Sequence, residues 1–492
     1  MRKSLVLSAA AAMGALLVLG CGSWSQDNDA AAWTRHDAAE WRITDTSPPH
    51  QRQSLATTLP SQAETELPPD ASAEDYVRIA VENNPSIRSA EAKVRRLAAG
   101  VPQATSLDDP MLEVTPIGSM PETAAGAMGL MTGLRQELPF PGKLETRGRI
   151  ASQDAASAQK DLQQVRLSVI AETRQAFWSY YVAARAIEVT RESQNLLSQF
   201  RQAAEAKYRA NTATQQDVLR ASLELSSLDN ELITLVQQQT TAAAMLNSLM
   251  DRTVTGPLPL PKPVKLEPSS LRLEVLLAEA ARNNPELGGI HERIEAQRQR
   301  IKLAKLQRWP NLTVGVSYNT VDDMGIAPTA NGKDQWWVSF AVNLPIWLAK
   351  LQAAEREAQA GLHEAVADLA SARDRLAFKV QDAYVRVDTQ QRLTLLLRDV
   401  IIPQARQTLD ASAGGYRAGN TDFLMVIDTW RKLLSYQLMY HQSHAEYEKD
   451  YAQLQQALGG DLPRPTRSSP PSPPPVSPAE QYQGPRQSES QP

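Results

Sequence analysis

The chain has 492 residues, 42% hydrophobic and 22% charged, so it can bury a sizeable core. Its formal net charge of -4, from 51 Lys and Arg against 55 Asp and Glu, argues against a nucleic-acid binder, whose basic footprint would show in the totals. A single cysteine, Cys21, excludes disulfides within the chain and any Cys-based zinc or iron–sulfur site.

Arg2 and Lys3 open the chain, and an almost wholly apolar run follows from Ser4 to Gly20, which predicts an export signal over 1–20. Val18-Leu19-Gly20-Cys21 resembles the lipobox of bacterial lipoproteins, in which the cysteine is lipidated and becomes the first residue. The alternative is an ordinary cleaved signal with an incidental cysteine. Gly22 follows in place of the aspartate that marks inner-membrane retention. No later stretch reaches the roughly 18 apolar residues of a membrane helix, so any crossing by the mature chain must be a barrel. Residues 21–70 are expected to be irregular, and the Pro/Ser-rich tail 461–492 to be disordered.

Between these ends the sequence repeats itself. Asn83-Asn84-Pro85 returns 200 residues later as Asn283-Asn284-Pro285, and Pro110-x-Leu112-x-Val114 as Pro310-x-Leu312-x-Val314. Leu138-Pro139 returns after 206 residues as Leu344-Pro345, and Tyr208-Arg209-Ala210 after 208 as Tyr416-Arg417-Ala418. Four matches in one order define two copies, 71–252 and 271–460, joined by a Pro-rich linker at 253–270.

Each copy opens with helices broken at Asn-Pro, where asparagine can cap and proline can start a helix. Two strands follow. Leu312, Val314, Val316 and Tyr318 alternate with polar neighbours, as do Trp336, Val338, Phe340, Val342 and Leu344. The spacing predicts strands at about 110–117 and 131–139, then at 311–319 and 335–344. Such strands suit either a soluble hairpin or a membrane pair with its greasy side to lipid. Helical hairpins are predicted over 143–250 and 350–459. Leu162, Val169, Ala176, Ala183, Leu197 and Ala204 recur at steps of seven, with Thr190 interrupting. A helix of ~100 Å needs partners along its whole apolar seam.

This order resembles the TolC-type outer-membrane efflux protein family across about 71–460. Its sharpest carriers are Leu138-Pro139-Phe140-Pro141-Gly142-Lys143-Leu144 and Gly415-Tyr416-Arg417-Ala418-Gly419-Asn420. Pro139, Pro141 and Gly142 supply the fixed and permissive φ values of a sharp strand-to-helix bend. The resemblance implies a mainly α fold with a small transmembrane β part. It implies a homotrimer whose chains give four strands each to one 12-stranded barrel on an α-helical barrel. Leu312, Val314, Val316, Trp336, Val338, Phe340 and Val342 would face outer-membrane lipid. It further implies a conduit rather than an enzyme, partnered by a periplasmic adaptor (a membrane fusion protein) and an inner-membrane pump of the RND type.

At the tips, Asp217 and Asp428 occupy similar places in the returning helices, with a three-residue slip. By resemblance, Asp428 sits where the family's best-known member constricts its pore. The aspartate one turn earlier is Met425 here, which weakens a double acidic ring, and Asp217 reads equally well as a helix cap. Tyr416 and Arg417 are candidates for latch or adaptor contacts. Met111, Met120, Met128 and Met131 cluster around the first hairpin and suit soft cations, although gap-filling accounts for them as well. His441 and His444 read as a surface pair, and Asp322-Asp323 as solvated turn chemistry. No HExxH, CxxC, phosphate loop or Ser/His/Asp arrangement appears, so no cofactor or bound metal is expected. The cargo reading is small solutes, metal ions ahead of drugs. A type I protein-secretion duct and a soluble periplasmic coiled-coil scaffold or adaptor are the rivals.

Overall fold

The two Asn-Pro pairs act as hinges that also tie each copy to its own far end. In the computed structural model, which describes residues 67–460 and 462 except 118–121, 265, 267, 270, 324, 325, 327, 330 and 331, helix α1 (Ala73–Asn83) stops at Asn84 and α2 (Pro85–Thr105) starts beyond it. Asn84 is extended at φ -61°, ψ 125°, and its buried side chain accepts from the Ser86 N–H at 2.9 Å. Its Nδ2 donates to the carbonyl of Leu249 at 2.9 Å. Asn284 does the same between α5 (Leu273–Asn283) and α6 (Pro285–Leu306), accepting from Glu286 at 2.9 Å and donating to Ala457 at 2.9 Å. The signal segment, Cys21 and the tail from 463 lie outside the described residues.

Helix α3 runs unbroken over Lys143–Arg209, and α4 (Gln215–Leu249) returns beside it. In the second copy the long helix is α7 (Leu348–Leu396), a π turn (Leu397–Ile401) and α8 (Ile402–Ala418), with α9 (Phe423–Leu458) returning. The π turn has a cause. Pro403 would drive its ring into the carbonyl of residue 399 in a regular helix, and one inserted residue widens the coil there. Buried positions of α3 and α7 keep a spacing of 207, as in Val169 and Leu376 or Ala176 and Ala383, and beyond the π turn Ala204 and Ser412 stand 208 apart. The α3 seam is buried at Val169, Ala176, Ala183, Leu197 and Ala204, and Thr190 keeps its place in that series at full burial.

Three main apolar clusters hold the helices. One gathers Tyr76, Ile79, Phe177, Trp178, Tyr181 and Leu246. Another joins Leu276, Ile290, Val380, Val387, Tyr447 and Leu454. The third, at the hairpin ends, holds Leu197, Leu409, Tyr416, Phe423 and Trp430. The linker follows α3 without regular structure, where Tyr180 donates to the Leu258 carbonyl at 3.3 Å and Arg185 to that of Pro261. Among the described residues no helix is long and apolar enough to cross a membrane.

Replacing Asn84 or Asn284 by Ala should lower stability by ~1–3 kcal/mol each, since a cap and a buried carbonyl's donor are lost together. Asp at either place keeps the cap but not the donor. Its melting temperature, followed by circular dichroism in detergent, should fall between those of Ala and Asn.

Candidate functional site: a two-faced sheet and two helical tips

Strands β1 (Met111–Pro116), β2 (Glu122–Thr123), β3 (Gly126–Leu138), β4 (Leu312–Asp322) and β5 (Gln335–Val342) form one antiparallel sheet, with main order β1-β3-β4-β5 and β2 beside β3. Register fixes which side chains share a face, because neighbours along a strand point opposite ways. Leu112 faces Leu134, Leu134 faces Val316, and Val316 faces Val338. Leu312 and Val342, Val314 and Phe340, and Tyr318 and Trp336 pair on that same face. It is nearly all apolar yet open to solvent in one chain: Leu112 is 72% exposed, Trp336 69% and Phe340 71%. The opposite face carries Glu113, Gly133, Arg135, Ser317, Asn319 and Ser339, with Arg135 and Glu113 paired at 2.8 Å. Trp337, Met111 and Met131 are its large apolar exceptions.

Two strands outrun the expected bounds. β3 starts at Gly126 rather than 131, and β4 runs on to Asp322. A register shift between Met128 and Met131 breaks the two-residue period there, so alternation does not betray the first turn of β3. Asp322 therefore ends a strand opposite Ala127 instead of sitting in the loop. The methionines are dispersed: Met111 pairs with Arg135 at one end of β1, Met131 with Thr115 toward the other, and Met128 lies past the bulge. Met120 is outside the described residues.

The passage from β3 into α3 is a fastened corner. Gly142 takes φ 89°, a left-handed value that L side chains resist, and its carbonyl accepts from both the Thr146 N–H at 3.0 Å and hydroxyl at 2.6 Å. Lys143 is buried. Its Nζ donates to the Trp309 carbonyl and to Asn311 Oδ1, both at 2.7 Å. Burial, then the nearby Arg147, holds its pKa below the usual lysine value. Phe140 stacks on Trp309 at 5.1 Å and 14°, and Asn311 Nδ2 donates to Glu137 at 2.7 Å. Lys143 and Asn311 thus lock the first copy's corner to the second copy's strand approach. Composition hid this role, but a lysine in the first turn of a helix opposes the dipole, which signals a specific partner.

Both tips close with one turn. Thr212 N–H donates to the Lys207 carbonyl at 2.9 Å around Asn211 at φ 58°, and Asn420 N–H to that of Gly415 at 2.9 Å around Gly419 at φ 81°. Tyr416 is buried against Phe423 at 5.1 Å, with Lys207 Nζ 4.5 Å from its ring centroid and bonded to its carbonyl. Arg417 is exposed. Asp217 is the third residue of α4, where Thr214 Oγ1 donates to it at 3.1 Å. Met425 is likewise third in α9, so Asp217 corresponds to Met425 and not to Asp428, which stands three residues deeper. Asp428 is exposed and pairs with Lys432 at 2.9 Å.

His441 and His444 are not a surface pair. His444 is fully buried, 5.3 Å from the ring of Trp178, and His441 is 6.3 Å from Tyr181, because this part of α9 lies on α3. Burial, reinforced by Arg185, brings the His441 pKa down to about 4. Deeper in α9, burial brings Asp450 up to about 6, against the pull of Arg386 and Lys449 and helped by Glu446 and Asp382.

The sequence pattern described as the outer membrane efflux protein family matches residues 77–251 and again 276–460, and the chain belongs to that family. It is 21% identical over 391 residues to the cobalt-zinc-cadmium resistance protein CzcC of Cupriavidus metallidurans, covering 79% of this chain and 88% of that one. Among solved structures, the outer-membrane channel OprN superposes with TM-score 0.68 at 20% identity, covering 79% of this chain and 90% of its own. CusC does so with TM-score 0.68 at 18% identity, covering 80% and 93%. The outer membrane protein VceC of Vibrio cholerae gives 0.67 at 19%, covering 79% and 96%.

Gly142→Ala should cost ~1–2 kcal/mol through its backbone alone. Lys143→Met should cost ~1–3 kcal/mol by removing the donor to the Trp309 carbonyl and one of the two donors to Asn311 Oδ1, which keeps the Phe140 N–H at 3.2 Å. Thermal melts of the detergent-solubilised protein measure both. Asp450, whose folded pKa of about 6 lies above its ordinary 3.8, contributes stability that is whole below about pH 4 and lost as pH rises through 6. His441, held at about 4, acts oppositely, losing its contribution as pH falls from 6.5 toward 4. Asp450→Asn should therefore raise the melting temperature at pH 8 and leave it little changed at pH 4. An equal effect at both would separate Asp450's charge from its burial.

Proposed function

We propose that three copies close their sheets into a 12-stranded barrel through the outer membrane, continued by a helical tunnel, and that the protein is the exit duct of a tripartite efflux system. The observation that carries this reading is the continuous apolar face from β1 to β5, exposed in one chain and flanked by two open strand edges. Water would penalise such a face, which weighs against a soluble scaffold. Lipid would favour it, and β3 and β4, at 13 and 11 residues, are long enough for tilted strands that need ~9–11. On this reading Leu312, Val314, Val316, Trp336, Val338, Phe340 and Val342 face lipid, while Arg135, Glu113 and Ser339 line the lumen.

The helical hairpins then descend toward a periplasmic adaptor and an inner-membrane pump of the RND type, with Cys21 as the lipid anchor. Metal ions stand ahead of drugs as cargo, supported by the likeness to a cobalt-zinc-cadmium resistance protein. At the tips, exposed Asp428 and Met425 line the pore entrance and Arg417 is free for adaptor contact. Tyr416 braces the two hairpins from within.

Placing Arg at Val338 or Phe340 should cost ~2–4 kcal/mol near the bilayer midplane and deplete trimers from the membrane fraction, whereas Ser339→Arg on the other face should assemble. Normal assembly of all three would sink the lipid-facing assignment. Asp428→Ala should change single-channel conductance or its block by divalent cations in planar bilayers, and unchanged recordings would remove Asp428 from the pore.

A further inference from the structure

Resting on the trimeric reading above, the geometry points to a specific seam between copies: we propose that β5 of one chain, extended past Val342 to Leu344, pairs antiparallel with β1 of the next so that Val342 faces Val114 and Leu344 faces Leu112. The template lies inside the chain. The second strand of copy one, β3, pairs with the first strand of copy two, β4, with Leu138 opposite Leu312, Gln136 opposite Val314 and Leu134 opposite Val316. Counterparts of β3 residues lie 206 positions later, as Leu138-Pro139 and Leu344-Pro345 record, and counterparts of β4 residues lie 200 earlier, as Leu312 and Leu112 record. Carrying the in-chain pairing through these offsets sets Leu344 against Leu112, Val342 against Val114 and Phe340 against Pro116.

Two independent features agree with this operation. First, it is face-consistent. Val342, Phe340, Leu112 and Val114 already share the apolar face in one chain, and a register one residue off would set apolar against polar throughout. β1 and β5 are also the ends of the sheet's path, each with an unused edge. Second, it covers exposed helix surface. Within the chain, Trp178 of α3 meets His444 of α9 at 5.3 Å. Their counterparts, 207 residues later and 208 earlier, are Val385 of α7 and Val236 of α4, which are 52% and 45% exposed. Laying α4 of one copy on α7 of the next brings these two valines together, an apolar contact in place of the in-chain aromatic one.

Cysteine pairs in membranes test the register. Directly opposite residues lie ~4.5–5.5 Å apart at Cα, within disulfide reach, while partners displaced by two lie ~7–8 Å apart. The full-length double variants Val114→Cys/Val342→Cys and Leu112→Cys/Leu344→Cys, treated with copper phenanthroline, should link into covalent dimers and trimers on non-reducing gels. Leu112→Cys/Val342→Cys should link at least tenfold less, and the corresponding single variants not at all. Each variant's native mass in detergent establishes that it still assembles. Trimers in which Leu112→Cys/Val342→Cys links best overturn the register while the channel reading survives. Trimers in which no pair links overturn the pairing of β5 with β1. Monomers in every variant and in the unmodified protein overturn the channel reading itself.

Discussion

A strand edge cannot remain open in hydrocarbon. Each N–H and C=O left without a partner there costs several kcal/mol, and on the proposed barrel reading that single constraint organises this protein. Its sheet has two such edges, on β1 and β5, and the chain has no further strand among its described residues to cover them. Most of what surrounds the sheet reads as a means of presenting those edges at the right height and tilt. On the same reading, the apolar face supplies affinity for lipid. The three pairings inside the chain, β1 with β3, β3 with β4 and β4 with β5, satisfy all but those two outer edges before any partner arrives.

The helices do a different task from the sheet, and the corner at Gly142 and Lys143 joins the two. On the barrel reading, a strand leaning through a membrane and a helix running steeply beneath it cannot share one straight path. The left-handed glycine turns the chain, and the buried ammonium fixes the new direction against the carbonyl of Trp309 and the amide oxygen of Asn311. Farther down, Asn84 and Asn284 close each copy on its own return helix. Position is therefore set by polar contacts at a few corners, while apolar seams between helices supply the bulk of the cohesion.

How much of this could be read beforehand depended on whether a residue's role repeats along the chain. β4 and β5 declare themselves because strict alternation spans their whole length. The start of β3 does not, since a bulge resets the period among Gly, Ala and Met residues with no hydrophobic contrast. The long helices were legible from their seven-residue steps, yet the π turn was visible only as a spacing that drifts by one. The tips need the helix starts as well: counted from them, Asp217 matches Met425, three residues before Asp428. His441 and His444 looked superficial because nothing local says that α9 lies on α3 there. Lys143 stood in plain view inside a motif, but what it grips is 166 to 168 residues away.

The corner at Lys143 has a twin in sequence but not in setting: Lys350, 207 residues later, is exposed where Lys143 is buried. The run leading to Lys350, Leu344-Pro345-Ile346-Trp347-Leu348, leaves Leu344, Ile346, Trp347 and Leu348 largely uncovered. A closed ring of three chains would therefore alternate two kinds of joint: ones already pinned inside a single chain, as at Lys143, and ones completed only between molecules. Dilution or harsh detergent can act on the second kind alone. Disassembly would then leave intact single chains with their inner joints still locked, and reassembly would be governed by concentration.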